Sequence, residues 1–293
     1  MSTCAESARS EPLAGTAPFT AAWVVIEQHG AYPRKALTAL PPGLVDWAEA
    51  THAAGAKVIL ARPTGRHATT DQPAERRVWV AHAESGRMVS TCIHSDADLT
   101  GIDPKALMAG DLPNWPAADE PHLFVCTNGR RDACCAARGG AAVRGNSDTD
   151  VWESSHLGGH RFAATGVLLP WGFVLGRLDA DAVRTVMSAA RRGRVVPETL
   201  RGRSCLSPAA QAAEVALRRE ADVVDATALT VLAEPGARLI TIGHRDGRRW
   251  QVTVAQRRLP ERPESCGAEA VEAAAWDVTS IRRLLNNLPD LLC

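Results

Sequence analysis

The chain of 293 residues is long enough for one large or two ordinary domains, and 45% apolar with 23% charged residues excludes wholesale disorder and coiled coil. Lysine plus arginine and aspartate plus glutamate balance at 33 each, so no global field draws the chain onto nucleic acid or an anionic membrane, and neither is expected as a partner. No apolar run approaches the roughly 20 residues of a membrane-spanning helix, and the start MSTCAESARSEP has neither a basic stretch nor an apolar signal core, which predicts a cytoplasmic chain whose cysteines stay as thiols.

Residues 1–18, small and polar with Pro12 and Pro18, read as a flexible arm. Ala22 to Glu27 reads as a buried strand, Gly43 to Ala54 as a helix with Leu44, Trp47, Ala48 and Thr51 on one face, and Lys57 to Ala61 as the next strand. Arg77 to His82 and Arg87 to Ile93 flank a turn at Glu84-Ser85-Gly86, and a short helix follows at Pro104 to Ala109. The Pro-rich, acidic segment Gly110 to Pro121 marks a boundary near 118.

Beyond it come a strand at His122 to Cys126, a helix from about Asp132 to Ala142 and a strand at Val151 to Ser155. Two strands then meet at Pro170-Trp171-Gly172, and Asp179 caps a helix to about Arg192. Both halves therefore follow a β-α-β, β-β-α order. Two tandem thioredoxin-like modules, the first without ligands, would explain this, as would short mixed α/β units that merely look alike. A helix from Pro208 to about Ala221 and a hairpin at Ala237 to Ile242 and Arg249 to Ala255 should extend the second half, whereas the tail from 261, with an amphipathic stretch at Ile281 to Leu288, suggests no role.

Chemistry concentrates between 126 and 160, where three of eight cysteines and two of nine histidines fall within 35 residues. Cys126 ends a strand, and Cys134 and Cys135 open the next helix, so the loop lets two thiolates converge beside helix N–H groups. Adjacent side chains point different ways, so one of Cys134 and Cys135 is a ligand and the other packs. His156 and His160 are separated by Gly158-Gly159, which disfavours a helix and favours a tight loop presenting both rings to one cluster. Two thiolates and two imidazoles suit a closed tetrahedral zinc, or a 2Fe-2S cluster with both sulfurs on one iron and both rings on the other. Ligand count alone leaves the two open.

The segments CTNGRRDACCA (126–136), VWESSHLGGHRFA (151–163), LLPWGFVLGRL (168–178) and RGRSCLSPAAQAAE (201–214) resemble the sucrase/ferredoxin-like family of thioredoxin-like ferredoxins. The resemblance implies an α/β fold in which a thioredoxin-like ferredoxin domain with a C-terminal hairpin (119–260) follows a smaller α/β module (19–118) and precedes the tail 261–293. It also implies a 2Fe-2S cluster on Cys126, Cys135, His156 and His160, electron transfer coupled to protons on the imidazoles, and a redox partner protein. No carboxylate pair stands in a motif for glycosidic cleavage, and no motif marks a substrate pocket, so the pattern speaks for an electron carrier more than for a substrate-turning oxidoreductase.

A zinc-stapled interaction protein and a metal-free thiol oxidoreductase are the competing readings. The second is weakened by the absence of a Cys-x-x-Cys pair. Arg130, Arg131, Arg138 and Arg161 surround the cluster in sequence, as tuning charges and a dock for an acidic partner or simply as a solvated face. Asp132 reads as a helix cap. Cys266 reads as a small packed residue, and Cys4 and Cys293 as terminal thiols without a site.

Overall fold

The computed structural model describes residues 3–65, 72, 75–234 and 238–285, and the chain enters as one helical turn, α1 (Cys4–Ser7). Runs of apolar, mostly β-branched residues make the deepest strands, because a strand covered on both faces needs no alternation. Thus Trp23 to Ile26 are wholly buried in β1 (Ala22–Glu27), which crosses over through α2 (Pro42–Ala53) to the parallel β2 (Lys57–Pro63). An antiparallel hairpin follows, β3 (Arg76–His82) and β4 (Arg87–Ile93), then two short helices, α3 (Ala97–Thr100) and α4 (Pro104–Ala109). β3 pairs with β1, so the spatial order is β2-β1-β3-β4.

The second half repeats this plan. β5 (His122–Cys126) leads through a helical segment, α5 (Cys135–Val143), to the parallel β6 (Val151–Ser154). The antiparallel β7 (Gly166–Leu169) and β8 (Phe173–Leu175) and the helix α6 (Ala180–Ala190) complete it, in the order β6-β5-β7-β8. Each half is thus a β-α-β unit joined to a β-β-α unit, the thioredoxin-like arrangement, and the protein is α/β with the module repeated.

The halves are fused edge to edge where β2 and β6 run antiparallel, with Arg62 opposite Glu153. Their buried side chains form an ion pair at 2.7 Å, and Thr127 Oγ1 and the Gly65 N–H also donate to the same carboxylate. One core layer crosses the seam and residue 118 alike: Trp23, Ile59 and Trp79 pack with Phe124 and Trp152, whose ring meets that of Trp79 edge to face at 4.9 Å.

After β9 (Leu200–Arg203), a ninth strand on β8, the helix α7 (Pro208–Glu220) turns its alanine-rich face to a second sheet. That sheet consists of β10 (Leu229–Ala233), β11 (Leu239–His244), β12 (Arg249–Pro263) and β13 (Ala270–Leu284), all antiparallel. The hairpin expected to extend the ferredoxin sheet therefore belongs to a sheet of its own. β13 takes up 270–284 of the expected tail, and its Ala270–Ala275 run has little strand preference and takes that conformation from its pairing with β12. Ile281 to Leu284 of the amphipathic stretch lie in β13, whereas 286–288 fall outside the described residues. Among the described residues no helix is long and apolar enough to cross a membrane.

The segment expected as a flexible arm, 1–18, packs from residue 3 onward, because arginines clasp it. Glu11, only 4% exposed, accepts from Arg161 at 3.0 Å and from Arg262 at 2.8 Å, Arg177 donates to the Ala8 and Glu11 carbonyls, and Arg201 holds Thr16. Burial works to raise the Glu11 pKa, but the hydrogen bonds from Arg262 and Arg161 bring it below the ordinary 4.5. A carboxyl depressed in the folded state stabilises above its unfolded pKa, and the benefit disappears as pH falls through the folded value. Glu11→Gln is expected to cost about 3 kcal/mol near neutral pH, since it leaves buried Arg262 and part-buried Arg161 only their longer contacts to exposed Glu264. Urea titrations should show the gap between wild type and variant narrowing below the ordinary 4.5; a gap independent of pH would refute the clamp.

Candidate metal centre

β5 is buried along its whole length and delivers Cys126 to the sheet's end. The chain then turns tightly on Asn128, whose carbonyl accepts the N–H groups of Arg131 and Asp132. Asp132 caps the helical segment by accepting the Cys134 N–H at 2.8 Å. From Cys135 to Gly139 that segment widens into a π-helical turn, a feature frequent at functional sites. Gly139 lies against the strand end so closely that a Cβ there would overlap the Cys126 carbonyl oxygen. This close approach sets Cys135 beside Cys126.

Next to β5, the parallel β6 sets Ser154 opposite Cys126, and His156 follows two residues on. Gly158 and Gly159 adopt φ of 88° and 71°, left-handed values that reverse the chain before His160. The two imidazoles consequently lie 4.9 Å apart, tilted by 31°. The ligand atoms of Cys126, Cys135 and His156 fall within 4.8 Å of one another, with Cys126 Sγ 4.0 Å from His156 Nδ1. His160 stands just behind them, so all four residues singled out from the sequence occupy one place, three within reach of a single ion and the fourth stacked on the third.

The electrostatics favour ligand forms. Hydrogen bonding from Cys135, joined by His156, lowers the Cys126 pKa against the burial that opposes it, and Cys135 is pushed up in turn. Burial lowers the His160 pKa, which keeps the ring neutral. Its Nε2 faces Asp132 Oδ2 at 3.9 Å, while its Nδ1 is buried without a hydrogen-bond partner among the described residues. A buried polar atom left unpaired is costly, and a metal would satisfy it. The donor set, thiolate sulfur and neutral imidazole, fits both zinc and an iron-sulfur cluster.

A second group lies on the other side of Asp132. Cys4 from α1, Cys134 and Cys266 from the bend between β12 and β13 bring their sulfurs within 3.4–3.6 Å of one another, and their ligand atoms and those of Asp132 lie within 4.8 Å. The sequence reading missed this group. Cys4 is buried rather than a stray terminal thiol, and Cys266 and Cys134 pack beside it with their sulfurs turned toward one another. No spacing signal could have found them, because the three lie more than 100 residues apart wherever Cys4 or Cys266 is involved.

Of the arginines near the loop, Arg130, Arg131 and Arg138 are exposed, whereas Arg161 turns away to Glu11. Trp152 belongs to the core layer across the seam.

Fold and site define a tandem thioredoxin-like α/β protein with cysteine-rich groups able to hold metal ions. The sucrase/ferredoxin-like family profile matches residues 13–202, more than half of the chain, and the protein belongs to that family. Comparison with curated proteins and with solved structures finds no match.

Gly139→Ala should push α5 off the strand end and part Cys135 from Cys126. The variant is expected to lose bound metal, read by elemental analysis, and to lose at least about 1–3 kcal/mol of stability through overpacking. A variant with unchanged metal content would show that the close approach does not set the site.

Proposed function

We propose that the protein is an electron carrier with a 2Fe-2S cluster held by Cys126 and Cys135 on one side and His156 and His160 on the other. The observation that carries the reading is His160: a buried, neutral imidazole with an unpaired Nδ1, set beside a Cys-Cys-His group that already suffices for one metal atom. Membership of the sucrase/ferredoxin-like family supports it. When bound, such a cluster takes up and returns one electron, within about −150 to +300 mV for two-imidazole ligation.

The chain's own groups define the rest. His156 Nδ1 faces Cys126, so its other nitrogen is the one left for a proton, on a ring that is half-buried and open to water. His160 directs Nε2 at Asp132, an outer carboxylate 3.9 Å away whose charge faces the ring. Bound imidazoles become less acidic when an electron arrives, so uptake of the electron is coupled to a proton, more readily at His156 than at sheltered His160. The exposed Arg130, Arg131 and Arg138 form a cationic rim suited to an acidic redox partner protein. The described cysteines are all free thiols, in keeping with a reducing cytoplasm. Zinc on Cys126, Cys135 and His156 is the competing occupant, favoured by their mutual reach.

Anaerobic purification should yield a reddish-brown protein with about two irons and two acid-labile sulfides per chain. Its potential should fall by up to about 59 mV per pH unit where an imidazole N–H titrates, and His156→Cys should flatten that slope. Colourless protein without iron or sulfide would overturn the reading in favour of zinc.

A further inference from the structure

Three thiols from segments far apart in the chain meet beside the clasp that Glu11 makes with Arg161 and Arg262. The apolar cluster around them consists of Cys4, Ala5, Cys134, Ala163 and part of Cys266, small side chains whose burial contributes little. α1 is a single turn, far below the length at which a helix stands alone. Yet Sγ of Cys4 lies 3.6 Å from Cys134 and 3.6 Å from Cys266, and the third edge, Cys134 to Cys266, is 3.4 Å. These are non-bonded distances, so no disulfide joins them. A near-equilateral triangle of this size is close to one face of a tetrahedral thiolate site, whose edges are about 3.8 Å for metal–sulfur bonds of about 2.3 Å.

Asp132 sits over the same triangle. Its carboxylate is 0% exposed, accepts the backbone N–H groups of Cys134 and Cys266 at 2.8 Å each, and lies 3.8 Å from Cys4 Sγ. No Lys or Arg neutralises it among the described residues; the nearest cationic candidate is His160 at 3.9 Å. A carboxylate oxygen that accepts one N–H keeps a lone pair for a metal.

From this geometry we infer that Cys4, Cys134 and Cys266, with an Asp132 oxygen as fourth ligand, form a structural zinc site distinct from the Cys126 group. Zinc binding releases the three thiol protons to solvent and leaves the charge of an ordinary four-thiolate zinc centre. The ion staples α1 and the β12–β13 bend to the loop that carries Cys135. The inference does not depend on what Cys126 holds.

The full chain is loaded with zinc under reducing conditions and its zinc measured. His156→Ala/His160→Ala, in which the Cys126 group lacks its imidazoles, should retain about one zinc per chain that resists gel filtration, and adding Cys4→Ser/Cys266→Ser to that background should leave less than about a tenth of it. Iron and sulfide, read on the same anaerobic samples, report separately on the Cys126 group. Should the serine variant fail to fold, alkylation of the wild type decides: zinc should shield Cys4, Cys134 and Cys266 at least about tenfold, while exposed Cys92 labels at an unchanged rate. Zinc that survives when the serine substitutions are added to the His156→Ala/His160→Ala background, equal labelling with and without zinc, or a disulfide among the three thiols with no zinc uptake after reduction would each overturn the site.

Discussion

The carboxylate of Asp132 is the hinge of the functional end of this molecule. Both of its oxygens are committed to backbone N–H groups, one opening the helix that carries Cys135 and one at the distant bend that carries Cys266. The same group faces the His160 ring and the Cys4 thiol. Burial disfavours its charge, and those backbone donors more than offset that, which holds its pKa below the ordinary carboxylate value. One anion thus fixes the helix start and the β12–β13 bend and faces the second imidazole. A neutral side chain there would undo all three together.

The two halves of the tandem differ in how their first strand ends. Both halves place a loop and helix after their first strand, but β5 ends in Cys126 where β1 ends in Glu27. The antiparallel pairing of β2 with β6 then sets the silent half against the ligand-bearing one, and Arg62, Glu153 and Thr127 fill the seam directly beneath the loop that leaves Cys126. The first half acts as a rigid buttress. Its Tyr32 hydroxyl donates to the Glu153 carbonyl and its ring lies under Arg62, so the strand leading to His156 is braced from outside its own module.

Much of this was legible in the sequence. Unbroken apolar runs such as Ala22–Glu27 and His122–Cys126 fall as strands because short-range preference and burial agree there, and the Gly158-Gly159 pair marks a reversal that only left-handed backbone can make. The failures share a physical cause. β13 contains an alanine-rich stretch that is strand only because β12 lies beside it, and the helix after Asp132 widens into a π turn where Gly139 lies on the Cys126 carbonyl. The order of the first residues comes from Arg161, Arg177, Arg201 and Arg262, whose positions no local pattern connects to Glu11. The Cys4, Cys134 and Cys266 triangle is invisible for the same reason: its members are neighbours in space alone.

The paired β12 and β13, each fifteen residues long, reach roughly 50 Å when extended and carry Arg262 and Cys266 back to the far end of the protein. During synthesis, Cys126, Cys135, His156 and His160 all leave the ribosome more than a hundred residues before Cys266 does. The loop around the first group therefore exists for a time without its outer brace. Return of the ribbon, a closure over 262 residues between Cys4 and Cys266, is among the last steps because its entropy must be met before any contact repays it. The ribbon is in this sense a latch drawn across the loop of Cys126 after that loop has been made.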